Sequence, residues 1–144
     1  MPTPDRDLVT GVIQLANLLM RHLAPVVEKA HVTPQQWAIL AALAGAEEPL
    51  TLAGLARTML VSKQNMTGMV ARLEELELVE RQADPRDLRS SRLVLTRRGR
   101  TTVEKLRPAY DAWRRALGGD IAERDLAALT RTVDRLIERL QAAD

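Results

Sequence analysis

Two capped amphipathic segments in immediate succession constrain this chain most. Thr51 can cap a short helix carrying Leu52, Leu55 and Ala56, and Ser62 can cap another with Met66, Met69, Val70 and Leu73 on its buried face. Only Thr58 to Val61 lie between them, so the pair reads as helix, tight turn, helix. Strand-period alternation follows in Leu78-Val79-Glu80-Arg81 and Arg92-Leu93-Val94-Leu95. The polar stretch QADPRDLRSS between them contains Asp-Pro, a turn signal, and predicts a hairpin with a long charged tip. Helix–turn–helix followed at once by a charged hairpin is a winged helix. The expected fold class is mainly α with a small β-wing.

The rest of the chain is helical in pattern, and 144 residues suit one domain with one core. Leu8, Val12, Leu15, Leu19, Leu23 and Val26 predict a first helix from Asp7 to Ala30, kinked or split at Pro25. Thr33-Pro34-Gln35-Gln36 reads as an N-cap, a first-turn proline and a capping-box glutamine. The second helix it opens carries Trp37, Leu40 and Leu43 and stops near Gly45. Thr96 caps a fifth helix bearing Val103, Leu106, Tyr110, Trp113 and Leu117, with a kink expected at Pro108 and an end at Gly118-Gly119. The sixth carries Leu126, Leu129, Val133, Leu136, Ile137 and Leu140, close to a heptad seam.

The second helix of a helix–turn–helix enters the DNA major groove by its N-terminal residues. Here these are Ser62, Lys63, Gln64, Asn65 and Thr67. Gln and Asn bond adenine edges bidentately, Lys reaches guanine or phosphate, and Thr meets a thymine methyl. Gly68 weakens the helix relative to Ala, which a close approach to DNA or to the third helix would explain. Arg72 completes the candidate DNA-contacting set on this helix.

Charge points the same way. The whole chain nets only +2, but Arg81 to Arg100 holds seven Arg against two Asp, a net +5 that leaves −3 elsewhere. Arg86, Arg89 and Arg92 at the hairpin suit a narrow minor groove, where the negative potential is enhanced. Asp84 and Asp87 are the candidate wing-orienting acids, with Asp87 expected to hold Arg89 through an ion pair. With no Phe, one Tyr and two Trp, base stacking on aromatic platforms is excluded. The absence of Cys removes disulfides, thiolate metal sites and thiol switches.

These residues resemble the MarR family of bacterial transcription regulators over nearly the whole chain. The likeness is densest in VTPQQWAILAAL, LTLAGLARTMLVSKQNMTGMVARLEELELVER and ADPRDLRSSRLVLTRRG. The last segment carries the family's acidic–Arg wing signature at Asp84, Asp87 and Arg89, then Leu95-Thr96 and Gly99. The resemblance implies one domain over 1–144: a DNA-binding lobe at 31–99, with dimerisation helices at 1–30 and 100–144. It also implies an obligate homodimer on a palindromic operator, often relieved by a small molecule. One departure is Glu77, where the family usually has a left-handed Gly. Either Glu carries a cost of about 1 kcal/mol there or the turn differs.

The terminal helices have more apolar positions than a lone winged helix needs. Leu8, Val12 and Leu15, with Leu126, Leu129, Val133, Leu136 and Leu140, are candidates for a subunit seam rather than for burial within one chain. Family effectors often bind between the first, second and fifth helices, where His22, Trp37, Tyr110 and Trp113, with Arg21 nearby, would suit an anionic aromatic ligand. The alternative for Trp37 and Trp113 is to anchor the core, the commoner role of such residues. Glu28 and His31 share a helix face if the first helix continues, but they are too few for a zinc site. Nucleophile-elbow, phosphate-loop and dinucleotide patterns are all missing, so no enzyme, cofactor or metal is expected.

MPTPDRDLVT lacks a basic then apolar leader, and Val12 to Met20, broken by Gln14 and Asn17, is too short to cross a membrane. A cytoplasmic regulator is expected, most readily a repressor. The alternative is a winged-helix module for architectural or protein contacts without ligand control.

Overall fold

The computed structural model describes residues 6–144. The first five residues, which begin the stretch read as lacking a leader, lie outside the described residues, as does the side chain of Leu88. The chain forms two compact units, one running to Tyr110 and the other from Asp111 to Asp144.

In the first unit, α1 (Leu8–Glu28) is capped by Asp7, whose carboxylate accepts from the amide and the hydroxyl of Thr10, both at 3.0 Å. Those bonds hold the Asp7 carboxyl below its ordinary range, the amide bond first. The helix runs through Pro25 without a break, so of the expected kink or split the split does not occur. It ends two residues early, because His31 turns left-handed (φ 62°) and its amide closes on the Glu28 carbonyl at 2.8 Å. Glu28 and His31 therefore do not share a helix face.

The capping box of α2 (Pro34–Gly45) forms as read: Thr33 Oγ1 accepts from the Gln36 amide, and Gln36 Oε1 accepts from the Thr33 amide. Leu50–Thr51 is a short strand, β1, that the sequence reading missed. Two residues are too few to show a period. Helices α3 (Leu52–Met59) and α4 (Lys63–Glu75) follow, then β2 (Val79–Asp84) and β3 (Asp87–Leu95). The sheet order is β1-β3-β2, all antiparallel, with Leu50 opposite Leu93 and Val79 opposite Leu95.

The core sits where α2, α3, α4 and β3 meet, on Ile39, Leu40, Leu55, Met66, Leu73 and Leu93, all essentially inaccessible. Each such side chain contributes roughly 1.5–3 kcal/mol by leaving water. The long helix α5 (Arg97–Gly118) is capped by Thr96, whose hydroxyl oxygen accepts from the Gly99 amide at 3.0 Å, and it too continues through its proline, Pro108. Gly99 is required here, since a Cβ at that position would collide with the Leu78 carbonyl.

In the second unit, the later part of α5 leads to α6 (Glu123–Gln141). No side chain caps α6, but Glu123 and Asp125 in its first turn complement the helix dipole. No residue of α6 is buried; Leu129, Val133 and Leu140 stand exposed, while Leu126 and Leu136 are half-buried.

Candidate nucleic-acid interface

The α4 helix presents one face inward and one outward. Met66, Val70 and Leu73 point into the core with Met69 half-buried. Ser62, Lys63, Gln64, Asn65, Thr67, Gly68 and Arg72 are all exposed. Ser62 Oγ caps the helix by accepting from the Asn65 amide at 3.1 Å, which fixes the first turn. The Thr67 hydroxyl donates to the Lys63 carbonyl at 2.9 Å, so that group is satisfied within the helix. Arg72 pairs with Glu75 at 3.0 Å in the open. Beyond its own helix backbone and chain neighbours, no atom of the described residues lies within 4 Å of a Cβ added at Gly68, so approach to the third helix does not explain this glycine.

The turn ahead of α4 holds a residue that sequence reasoning passed over. Leu60 is left-handed (φ 57°) and 52% exposed. Its amide bonds the Arg57 carbonyl, and the next amide, from Val61, bonds Ala56. This closes α3 without glycine.

The hairpin differs from expectation. Its strands run nearly to the tip, leaving Pro85-Arg86 as the loop in place of a long polar excursion. The register slips between Ala83 (opposite Ser91) and Asp84 (opposite Asp87), so the extra residues bulge from β3. At this bulge Asp84, 9% exposed, accepts from the Arg86 amide at 2.9 Å and from Ser90 Oγ at 3.3 Å, and pairs with Arg92 at 3.2 Å. The Arg86 amide and the Arg92 charge hold its carboxyl below the ordinary 3.8, against the opposing effect of burial.

Asp87 does not form an ion pair with Arg89; it accepts from the Arg89 backbone amide at 3.0 Å. Arg86 and Arg89 are exposed, whereas Arg92 is turned toward Asp84 and half-buried. The bulge decides that partnership, and no residue pattern announces a three-residue slip.

Between α4 and the wing, Glu77 is left-handed (φ 60°), so the turn keeps its usual shape without glycine. The Leu78 amide bonds the Leu73 carbonyl at 3.0 Å and the Glu77 amide bonds Glu74 at 2.9 Å. Thr96 clamps the turn from the far side, its hydroxyl donating to the Glu77 carbonyl at 2.6 Å and its amide to Leu78 at 3.1 Å. The helix–wing angle is thus tied to the start of α5.

Of the residues suggested for a ligand, His22 is exposed on α1. Trp37 is a core residue at 2% exposure, with the half-buried Tyr110 ring 5.1 Å away and the Arg107 guanidinium 5.4 Å from its centroid. Trp113 is half-buried in the second unit. Among the described residues, no group of three His, Asp or Glu is placed to hold a metal ion.

A capped helix pair, a strand-braced hairpin and long helices before and after define a winged helix–turn–helix protein. A MarR family model matches residues 32–90. The chain is 31% identical over 134 residues to the transcriptional activatory protein BadR of Rhodopseudomonas palustris, covering 91% of this chain and 77% of that one. It is 32% identical over 124 residues to the HTH-type transcriptional regulator FarR of Neisseria gonorrhoeae, covering 82% and 84%. The structure of the S. aureus MepR–DNA complex superposes with a TM-score of 0.86 at 18% identity, covering 94% and 99%. The chain belongs to the MarR family and is a transcriptional regulator, not an enzyme. No helix among the described residues is long and apolar enough to cross a membrane.

Proposed function

We propose that this regulator acts as a homodimer on a palindromic operator. Helix α4 reads the major groove through Ser62, Lys63, Gln64, Asn65, Thr67, Gly68 and Arg72. Arg86 and Arg89 of the wing lie along the adjacent minor groove. The observation that carries this reading is the outward face of α4, polar or glycine but for Ala71, in a chain whose wing exposes Arg86 and Arg89. The Thr67 hydroxyl is spent on Lys63, which frees its methyl for a thymine. Gly68 leaves space for a phosphate or base edge. Arg92 supports the wing through Asp84, with Asp87 shaping the tip.

Two copies join through the exposed apolar positions of α1 and α6, Leu8, Val12, Leu15, Leu129, Val133 and Leu140, continued by the half-buried Leu126 and Leu136. Occupying the operator blocks the adjacent genes, so the protein represses in the cytoplasm, and a small anionic ligand relieves it. BadR carries the opposite sign in its name. A reporter fused to the regulated promoter reads the sign directly. Expression that falls when the gene is deleted would reverse our assignment.

A gel shift on the DNA upstream of its own gene tests the binding. Retention is expected with competition by random DNA at least about a thousandfold weaker, the lower end of the usual specific-to-nonspecific range of about 10³–10⁷. Equal competition by random DNA would favour an architectural module.

A further inference from the structure

The first unit carries a cleft of about 470 Å³ outside the surfaces assigned to DNA. That volume lies within the range of small-molecule sites, roughly 300–1,000 Å³. Its floor is apolar, formed by Leu76 and Leu78 from the turn after α4 and by Leu106 of α5. Its rim carries Lys29 and His31 at the end of α1, and Arg98 and Lys105 on α5. No carboxylate lines it. Of these four basic groups only Arg98 has an ion-pair partner among the described residues, Glu77, and that contact is long (3.7 Å) and open to solvent. The cleft is also where backbone strain gathers. Among the described residues three non-glycines have positive φ; of these His31 lines the cleft, and Glu77 lies in the chain between its lining residues Leu76 and Leu78.

We infer that this cleft binds a small organic anion with an apolar body, and that Glu77 guards it by competing for Arg98. The headgroup replaces the Glu77 carboxylate on the Arg98 fork and draws in Lys105 and Lys29, while the body covers Leu76, Leu78 and Leu106. None of His22, Trp37, Tyr110 and Trp113 lines this cleft. The inference deepens the ligand-relief part of the proposed function and rests on that reading for its consequence. Glu77 lies in the turn that joins α4 to the wing, clamped on one side by Thr96. An anion seated on Arg98 and Lys105 against Leu76 and Leu78 bears on this turn itself, and through it on how α4 and the wing meet DNA.

Titration calorimetry on the full chain at low salt tests it, with 4-phenylbutyrate and phenyl phosphate as anions and 4-phenylbutanol as the uncharged control. At least one anion should bind about tenfold tighter than the alcohol, since a hydrogen bond to a charged group is worth about that factor. Affinity should fall about tenfold in Arg98→Gln/Lys105→Gln, fall measurably in Lys105→Gln alone, and stay unchanged in His22→Gln. In Glu77→Gln it should rise about threefold, because the competitor for Arg98 loses its charge. Equal binding of all three compounds, equal affinity across the variants, or no anion binding at millimolar concentration would overturn the site.

A gel shift on the same samples separates the two readings. Anion bound in this cleft with the DNA complex unmoved supports the site and overturns its regulatory role. Release of DNA by anion in the double variant places relief elsewhere and overturns this cleft as the effector site.

Discussion

Glu77 keeps a left-handed backbone that glycine adopts freely and an L side chain resists. Thr96, Leu73 and Glu74 hold the turn in place around it. Glu77→Gly should therefore raise stability by roughly 0.5–1 kcal/mol, the relief of strain less the entropy glycine adds to the unfolded chain. The lost contact with Arg98 subtracts little, because both groups are well exposed. Urea melts of the two proteins check this; a drop in stability would show that the turn is not strained. Asp84 is the second residue with a definite expectation. Its carboxyl titrates below its ordinary 3.8, chiefly because the charged form accepts from the Arg86 amide. A depressed folded-state value means the stabilisation is complete above 3.8 and is lost as pH falls through the lower folded value. Hydrogen exchange at the Arg86 amide should stay protected at neutral pH and lose protection only in that acid window. In Asp84→Asn the acid-window change in protection, taken relative to the intrinsic exchange rate, should disappear.

At the scale of elements, recognition helix and wing divide the labour. Arg89 is exposed with its backbone amide held by Asp87, so on the proposed reading Arg89→Ala removes a DNA contact and should leave the fold intact. Binding should weaken, and the salt slope should shrink by about one counterion. A slope equal to that of the parent would count against a phosphate or groove contact there. Much of this was legible in the residues. Thr33, Thr51, Ser62 and Thr96 each cap the helix they were expected to cap, since a capping bond needs only a hydroxyl and an amide a few residues on. The wing tip was not legible, because it depends on a register slip with no local pattern, and that slip gives Arg92 to Asp84. Each helix proline removes one amide, yet α1 and α5 both continue through them as single helices, so the split offered as one outcome at Pro25 does not occur.

For the whole molecule, the apolar surface left open on α1 and α6 is the main fact. Leu8, Leu129 and Leu140 are each more than half exposed. Exposed apolar surface of that kind on each element marks an interaction surface, which the proposed second copy of the chain would cover. Val133→Glu, on the exposed face of α6, should shift the mass measured by light scattering from about 32 kDa, twice the chain's 16.0 kDa, toward the single chain. Its DNA affinity should fall with it, since one winged helix reads too few base pairs. A dimer that persists unchanged would place the seam elsewhere. Two linked recognition helices reading DNA in register, as proposed, would leave a footprint that hydroxyl radicals resolve on the upstream DNA. Two protected patches on one face of the duplex, about 10 base pairs or 34 Å apart and related by a palindrome, are expected. A single patch, or uniform protection without register, would contradict the account.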